Sequence, residues 1–251
     1  MPHAIITGAS AGIGEALARE LVSRGYAVGL IARRADRLAA LAAELRSAGH
    51  AAAWVAADVL DPDAMRDAVR ALEQEQGPCD VMIANAGVIA FQQPHDYDVD
   101  GAVFCWRVNV EGVLHTVDAV LDDMRRRRQG HLVVISSTAA FKGLPGWGVY
   151  SASKAAVRVL WESMRVELAP LGVRCTCVDP GYVATDMTAN NRFPMPFLIT
   201  PERLAARTAD AIARGETEII VPFAHRVILA LDGLSPRWLS DIVGRQLVKE
   251  R

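Results

Sequence analysis

The chain has 251 residues, of which 51% are hydrophobic and 22% are charged. This composition is typical of a globular protein and excludes a disordered, collagen-like or disulfide-scaffold chain. Lys and Arg total 27 against 29 Asp and Glu, which gives a formal net charge of −2. So small a charge provides no broad positive field for a phosphate backbone, and nucleic acid is therefore not an expected partner.

The chain carries no targeting, membrane or metal signal in its sequence. Its first residues form a short apolar segment that leads directly into a glycine-rich loop, and no apolar run reaches the length that spans a bilayer. The four cysteines, Cys79, Cys105, Cys175 and Cys177, lack the spacing of a metal site, and so do the six histidines. We therefore expect a cytoplasmic chain with reduced thiols and no metal.

Strand and helix patterns alternate along the chain. Seven short apolar runs predict strands at residues 4–7, 27–32, 51–57, 81–84, 132–136, 173–178 and 218–221. Helical periodicity predicts helices at residues 12–24, 36–48, 62–76, 108–128, 150–168 and 201–214. Strands that are apolar on both faces are typical of a parallel sheet covered by crossover helices. The sequence thus predicts one doubly wound α/β domain over residues 1–251.

Residues 186–200 are the least regular part of the chain. They combine Pro194 and Pro196 with five large apolar side chains, at positions 187, 193, 195, 197 and 198. An apolar loop of this kind is typical of a ligand-covering segment. We predict a substrate lid here, mobile without ligand and closed over the nicotinamide side when cofactor and substrate bind.

The C-terminal segment, residues 223–251, is strongly apolar at its start. Ser235-Pro236 then predicts a second helix, because Ser suits the N-cap and Pro the first helical position. An amphipathic helix that packs on its own domain or on a partner subunit is the favoured interpretation. Contact with a membrane surface is the less favoured alternative.

The first predicted strand runs into the sequence Thr7-Gly8-Ala9-Ser10-Ala11-Gly12-Ile13-Gly14, and a helix follows. Glycines at such a turn let the backbone approach a pyrophosphate, and the helix N-terminus supplies free N–H groups. The spacing differs from the general G-x-G-x-x-G fingerprint, and a purely structural turn is the alternative. We predict dinucleotide contacts from Gly8, Ser10, Gly12, Ile13 and Gly14.

The second predicted strand ends in Ala32-Arg33-Arg34. Enzymes that use NAD usually place a carboxylate here for the ribose 2′-hydroxyl, whereas arginine suits the 2′-phosphate of NADP. We therefore predict NADP(H), with Arg33 contributing more than Arg34, whose side chain points elsewhere if the chain is still extended. A solvated arginine pair is the alternative.

Tyr150 and Lys154 are four residues apart, which places them on one face of a helix. The ammonium group would then favour the phenolate over its ordinary pKa of about 10. Ser137 follows the fifth predicted strand, at the sheet edge where ligands of open α/β folds bind, and its hydroxyl can hold a carbonyl oxygen. An exposed pair that arose by chance is the alternative. In the segment between Ser137 and Tyr150, the side chains at positions 141, 144 and 147 are interpreted as part of the substrate pocket, and plain core is the alternative.

With these motifs the sequence resembles the short-chain dehydrogenase/reductase family, in its compact branch of about 250 residues. The resemblance covers about residues 4–222. Its motifs are Thr7-Gly8-x-x-x-Gly12-x-Gly14, Asp58-Val59, Asn85-Ala86-Gly87, Asn109, Ser137, Tyr150-x-x-x-Lys154 and Pro180-Gly181-x-x-x-Thr185. It implies a Rossmann-type fold with a seven-stranded parallel sheet and helices on both faces.

The resemblance also implies roles for single residues. Asp58 would lie near the adenine, Asn85 beside the ribose, and Val183 and Thr185 at the nicotinamide carboxamide. Asn109 would anchor a proton-relay water, with a buried structural amide as the alternative. The further cofactor-binding residues that it implies are Val59, Ala86, Gly87, Tyr150, Lys154, Pro180 and Gly181.

Together the residues and the resemblance predict an NADP-dependent oxidoreductase that interconverts a carbonyl and an alcohol on a lipophilic small molecule. Tyr150 would be the general acid or base, with Ser137, Lys154 and Asn109 around it. The alternative is a catalytically silent NADP-binding sensor or subunit, against which the complete catalytic set argues. Because members of the family are usually dimers or tetramers, the resemblance implies a homodimer or homotetramer.

Overall fold

The computed structural model of the protein describes residues 1–92, 95–189 and 194–234. Its strands are β1 (His3–Thr7), β2 (Ala27–Ala32), β3 (Ala52–Ala56), β4 (Val81–Ala84), β5 (Gly130–Ile135), β6 (Val173–Pro180) and β7 (Glu218–Val221). They form a sheet in the order β3-β2-β1-β4-β5-β6-β7, and every neighbouring pair is parallel. The predicted seven-stranded parallel sheet is confirmed.

Eight α-helices surround the sheet within the described ranges. They are α1 (Gly12–Ser23), α2 (Ala35–Ser47), α3 (Pro62–Gln76), α4 (Val99–Trp106), α5 (Gly112–Arg127), α6 (Gly148–Leu168), α7 (Pro201–Arg214) and α8 (Phe223–Leu234). Buried side chains of α1, α2 and α7 pack in one core, and those of α3, α5 and α6 pack in a second. The two cores lie on opposite faces of the sheet, because alternate residues of a strand contribute to each. The Rossmann-type architecture is therefore confirmed.

One predicted helix begins earlier than its pattern indicates. The prediction places its start at residue 108, whereas α4 begins at Val99 and continues through a π-helical turn, Arg107–Glu111, into α5. Asp98 caps α4, and its carboxylate accepts from the Gly101 N–H at 2.8 Å. Periodicity missed α4 because its apolar side chains do not form one buried face: Val103 is 52% exposed.

The strand order reverses between β1 and β4. Parallel strands present their carboxyl ends at one edge, and the connections from β1 and β4 leave that edge in opposite directions. A crevice opens at such a switch point, and ligands of open α/β sheets bind there. The loop after β1 and the loop after β4 border this crevice.

The predicted lid is irregular in the part that the structure describes, residues 186–189 and 194–200. A parallel bridge joins Val183 to Ile199 at its base. The predicted helix that starts at Ser235, with Trp238, Leu239, Ile242, Val243 and Leu247 along one side, lies outside the described residues. Among the helices that are described, none has the length and apolar character that crossing a bilayer requires.

Candidate active site

A cleft of about 1220 Å³ opens at the carboxyl ends of the strands. The loops that follow β1, β4, β5 and β6 line it, together with part of the lid and the start of α8. All the predicted site residues except Gly14 and Asn109 line this cleft. The structure thus brings together residues that lie up to 177 positions apart, from Gly8 to Thr185.

The glycine loop after β1 has a backbone that other residues could not adopt without strain. Gly8 and Gly12 have φ angles of +68° and +56°. A Cβ on Gly8 would lie 2.9 Å from the Ala86 Cα, and one on Gly14 would overlap the Gly8 carbonyl oxygen. No side chain caps the N-terminus of α1, so the amides of its first turn keep free donors. This cradle fits the pyrophosphate of a dinucleotide.

Asn85 ties the loop after β4 to the glycine loop. Its Nδ2 donates to the Thr7 carbonyl at 2.9 Å, while the Thr7 Oγ1 accepts from the Asn85 and Ala86 N–H groups at 3.1 and 3.2 Å. The Asn85 side chain therefore shapes the cradle. Its predicted contact with a ribose stays a prediction.

Arg33 and Arg34 both border the cleft beside the glycine loop. Arg34 donates from Nε and Nη2 to the Ser10 Oγ at 3.1 and 2.9 Å. The expectation that its side chain points elsewhere is wrong, because α2 begins at the next residue and the chain is no longer extended. Arg33 lies 4.0 Å from the Asp58 carboxylate, and its side chain is 62% exposed. Two guanidinium groups therefore lie at the end of β2, beside the glycine loop.

Ser137 and Tyr150 face each other across the cleft floor. Ser137 lies two residues beyond β5, and its Oγ accepts from the Ala139 N–H at 3.1 Å, which fixes the side chain. Burial raises the pKa of Tyr150 to about 12, and a hydrogen bond with the Ser137 side chain opposes that shift. The phenol is therefore protonated at neutral pH.

Lys154 lies one helical turn beyond Tyr150 on α6. Its Nζ donates to the Ile135 carbonyl at 2.8 Å and is 5.9 Å from the centre of the Tyr150 ring. Burial lowers the pKa of Lys154 to about 8, so the ammonium form still prevails at neutral pH. The pKa of Tyr150 is raised by burial, whereas the sequence predicted that Lys154 would lower it.

Asn109 is fully buried within the π-helical turn, next to the cleft. Its Oδ1 accepts from the Val88 N–H at 2.9 Å, and its Nδ2 donates to the Val88 carbonyl and the Ser153 Oγ, each at 3.0 Å. These contacts agree with the buried structural amide that the sequence left open. A Cβ on Gly87 would lie 3.2 Å from the Asn109 Oδ1 and 3.4 Å from the Lys154 Nζ, so this glycine gives both side chains room.

Val183 and Thr185 belong to a turn that closes the far end of the cleft. The Thr188 Oγ1 donates to the Val183 carbonyl at 2.6 Å and accepts from the Thr185 N–H at 3.1 Å. A Cβ on Gly12 would lie 3.2 Å from the Thr185 Cγ2, so this turn contacts the glycine loop. The turn after β6 and the glycine loop after β1 therefore contact each other in the cleft wall.

His225 also lines the cleft, from the first turn of α8, although the sequence did not predict it as a site residue. Its ring packs against Gly181, where a Cβ would lie 2.5 Å from the His225 Cε1. The rings of Tyr182 and Phe197 meet it edge-on, with centroids 6.1 and 5.8 Å away. Burial lowers the pKa of His225, so the imidazole is neutral at neutral pH. A single histidine in an apolar segment gave no signal for this position.

The segment between Ser137 and Tyr150 only partly follows its prediction. Leu144 and Trp147 line the cleft, and the Trp147 ring meets Tyr150 edge-on at 6.1 Å. Phe141 is instead stacked on the Arg158 guanidinium at 4.2 Å, away from the lining. A cation–π contact of this kind stabilises the ring at that place.

The four cysteines, Cys79, Cys105, Cys175 and Cys177, are buried free thiols. In the part of the chain that the structure describes, no group of three or more His, Cys, Asp or Glu side chains is arranged to hold a metal ion.

Comparisons with known proteins agree with this geometry. The family model described as short chain dehydrogenase matches residues 2–195. An uncharacterized oxidoreductase of Myxococcus xanthus is 39% identical over 244 residues, which cover 97% of this chain and 96% of the relative.

Solved structures give the same result. A short chain dehydrogenase/reductase from Burkholderia phymatum in complex with NAD superposes with a TM-score of 0.85 at 26% identity, and covers 92% of each chain. An alcohol dehydrogenase from Thermococcus sibiricus complexed with 5-hydroxy-NADP has a TM-score of 0.79 at 29% identity, over 88% of this chain and 96% of that one. Both forms of the dinucleotide thus occur among similar structures. The protein belongs to the short-chain dehydrogenase/reductase family and is an oxidoreductase with a nicotinamide dinucleotide site.

Proposed function

We propose that the protein is an NADP-dependent reductase of lipophilic carbonyl compounds, and that residues 1–251 act as one binding and catalytic domain. The observation that carries this proposal is the Ser137–Tyr150–Lys154 group: a serine hydroxyl and a protonated phenol line the same cleft, and an ammonium group lies one helical turn from the phenol. Carbonyl reduction needs a proton donor and a hydrogen-bonding hydroxyl at the carbonyl oxygen of the substrate.

The glycine loop would hold the pyrophosphate, and Arg33 and Arg34 would hold the 2′-phosphate. Asp58 would lie at the adenine, and Val183 and Thr185 at the carboxamide. The remaining predicted contacts, Val59, Asn85, Ala86, Gly87, Pro180 and Gly181, belong to the cleft wall. When bound, NADPH supplies the hydride for the carbonyl carbon.

Tyr150 donates its phenolic proton to the substrate oxygen, which becomes the alcohol hydroxyl. Ser137 holds that oxygen beforehand. The phenolate that remains is stabilised by the ammonium of Lys154 and then takes a proton from water. Asn109 contributes by holding the π-helical turn beside Lys154, where a relay water would be bound. The protonated phenol of Tyr150 is the form that can donate a proton to a carbonyl oxygen at neutral pH.

The substrate side of the cleft is apolar. Its lining includes Leu144, Trp147, Pro194, Pro196 and Ile228. Such surface favours a ketone or aldehyde with a sizeable hydrophobic body over a small polar metabolite.

A homodimer or homotetramer is part of the proposal. Large apolar side chains on the outer faces of α4, α5 and α6 are 40–64% exposed: Val99, Val103, Phe104, Trp106, Leu114, Val159 and Val166. Exposed apolar side chains in such number are typical of subunit contacts. A cytoplasmic location also remains a proposal, and four buried free thiols agree with it.

A panel of aldehydes, ketones and alcohols, followed by NADPH absorbance with the purified protein, tests the function. Turnover of a lipophilic carbonyl that is lost in Tyr150→Phe is the expected result. Tight NADPH binding without turnover of any compound would favour the silent sensor or subunit instead.

A further inference from the structure

A group of charged side chains that joins α6 to β6 and β7 has no part in the function proposed above. Asp179, near the end of β6, is fully buried, and its Oδ2 accepts from the Arg158 Nη1 of α6 at 2.8 Å. Arg158 also pairs with Glu218 of β7 at 2.8 Å and with Glu162 of α6 at 3.1 Å. A buried carboxylate is costly unless it is paired, so this arrangement calls for a reason.

The carboxylates fix the guanidinium group of Arg158 and leave its faces free. A guanidinium group is planar, and its N–H donors lie in that plane. The carboxylates accept from Nη1 and Nη2. The ring of Phe141 lies over the group, with its centre 4.2 Å from the Arg158 Cζ. The Arg158 side chain is only 15% exposed, and a cation withdrawn from water attracts an aromatic ring more strongly than a hydrated one.

Phe141 is the last residue of the 3₁₀-turn Thr138–Phe141, which begins directly after Ser137. Ser137 caps this turn: its Oγ accepts from the Ala139 N–H at 3.1 Å, and its carbonyl accepts from the Ala140 N–H at 2.9 Å. The turn and the capping hydroxyl therefore form one unit. No side chain of the turn is buried, and the hydrogen-bond geometry of short 3₁₀-turns is poor. The unit thus depends on contacts outside itself.

Helix α6 holds both ends of this unit. Just before it, the Ser136 hydroxyl donates to the Lys154 carbonyl at 3.1 Å. At its end, the Phe141 ring lies on Arg158, one helical turn further along the same helix. Because α6 also carries Tyr150, contacts with a single helix set the position of the capping hydroxyl relative to the phenol.

We propose that Arg158 is a positioning residue for Ser137: fixed by the buried Asp179, it holds the Phe141 ring by a cation–π contact and thereby fixes the turn that Ser137 caps. Its importance for turnover rests on the proposed function, in which the Ser137 hydroxyl holds the carbonyl oxygen of the substrate. Its effect on the turn does not depend on that function and can be measured alone.

Phe141→Leu is the test variant. The ring is 39% exposed and leucine keeps an apolar side chain, so the variant should fold. The change is made at the ring because loss of the Arg158 cation would leave Asp179 buried and unpaired. Phe141→Tyr keeps the ring face and should behave as the wild type. Phe223→Leu is the matched control, because Phe223 is an exposed ring outside the cleft lining.

The amides of Ala139 and Ala140 report directly on the turn, because Ser137 accepts from both. Their exchange with water is measured by NMR on the protein without cofactor. In Phe141→Leu both amides should exchange about three- to tenfold faster, since the turn opens more often. In Phe141→Tyr and Phe223→Leu the rates should stay within about twofold of the wild type. Unchanged rates in Phe141→Leu, or equally fast exchange in Phe141→Tyr, would overturn the proposal.

Turnover of a lipophilic carbonyl with NADPH provides the second measurement. Ser137→Ala should lower kcat/KM by about a hundredfold, the scale for losing one hydrogen-bond donor to the reacting oxygen. Phe141→Leu should lower it by about three- to thirtyfold, because the hydroxyl is misplaced rather than lost. Added to Ser137→Ala, Phe141→Leu should have less than about a twofold further effect, since no hydroxyl is left to position. A general packing defect would lower kcat/KM equally in both backgrounds, and that result would overturn the proposal.

The two measurements separate the two proposals. A wild type that turns over no carbonyl would contradict the proposed function, while the amide exchange would still decide on Arg158. An active wild type in which Phe141→Leu leaves the amide exchange unchanged would contradict this inference alone.

Discussion

The two sides of the cleft are held together by different interactions. On the glycine-loop side, backbone groups and short side chains at the ends of β1 and β4 bond to one another, as Thr7 does with Asn85 and Ala86. On the lid side, rings and apolar side chains pack together, as His225 does between Tyr182 and Phe197. Hydrogen bonds between strand ends fix positions closely, whereas apolar packing tolerates changes of shape.

This difference suggests a division of tasks. The glycine-loop side offers fixed donors and cations for an invariant ligand, the dinucleotide. The lid side offers an apolar surface whose shape decides which carbonyl compound fits. Mutations on the glycine-loop side should therefore change cofactor binding, and mutations on the lid side should change substrate selection. Tyr150 lies between the two sides, so its mutation should lower turnover without changing the affinity for cofactor or substrate.

Tyr150→Phe is expected to have the largest effect. It removes the proton donor and keeps the ring, so the variant should fold and bind NADPH while kcat falls by about two to four orders of magnitude. Steady-state kinetics and a fluorescence titration with NADPH measure the two quantities. Activity close to wild type would remove Tyr150 from the mechanism.

Arg33→Ala and Arg34→Ala should affect the glycine-loop side alone. Charge-assisted hydrogen bonds to a phosphate contribute about 1.5–3 kcal/mol, so the wild type should prefer NADPH over NADH by roughly ten- to a hundredfold in kcat/KM. Each variant should lose part of that preference. Arg34→Ala should also weaken NADH binding, since it releases Ser10.

Arg37→Ala, at an exposed position of α2 outside the cleft lining, is the control for these two variants and should leave the preference unchanged. A wild type that does not distinguish the two cofactors would contradict the arginine assignment.

His225→Phe should change the lid side alone. Phenylalanine keeps the ring contacts with Tyr182 and Phe197 but removes both ring nitrogens. Loss of one neutral hydrogen bond to a polar substrate corresponds to a change of about three- to tenfold in KM, and purely apolar carbonyls should be unaffected. The Kd of NADPH should stay constant, and a change in it would mean that the two sides are coupled.

The lid itself should show the smallest effect. Amide hydrogen exchange in residues 186–200 should slow several-fold when cofactor and a substrate analogue are both bound, while the glycine loop responds to cofactor alone. Equal protection of residues 186–200 with and without ligand would mean that this loop does not close.

The contrast between the two sides also explains what the sequence made predictable. β2 and β4 have the predicted bounds, because runs buried on both faces carry a strong pattern. The glycine loop and the Tyr150–Lys154 pair were found because each lies within eight residues of sequence, and local geometry fixes their spacing.

Other features depend on contacts between distant residues. The position of His225 results from its packing on Gly181, and that of Asp179 from Arg158, so neither follows from a local pattern. The pKa of Tyr150 was expected to fall and rises instead, because burial is a property of the folded cleft. The oxidoreductase family and the dinucleotide site could thus be predicted, whereas the packing around His225 could not.

The π-helical turn at Arg107–Glu111 limits which changes of chain length this region can accept. A π-turn contains one residue more than an α-turn, and each residue of an α-helix advances by about 100° around the axis. Deleting a single residue here would leave a continuous helix but rotate α4 relative to α5 by about that angle. Asn109 would then leave Val88, and the exposed apolar face of α4 would turn to a new direction. A one-residue deletion would therefore alter the active site and the outer surface in one step.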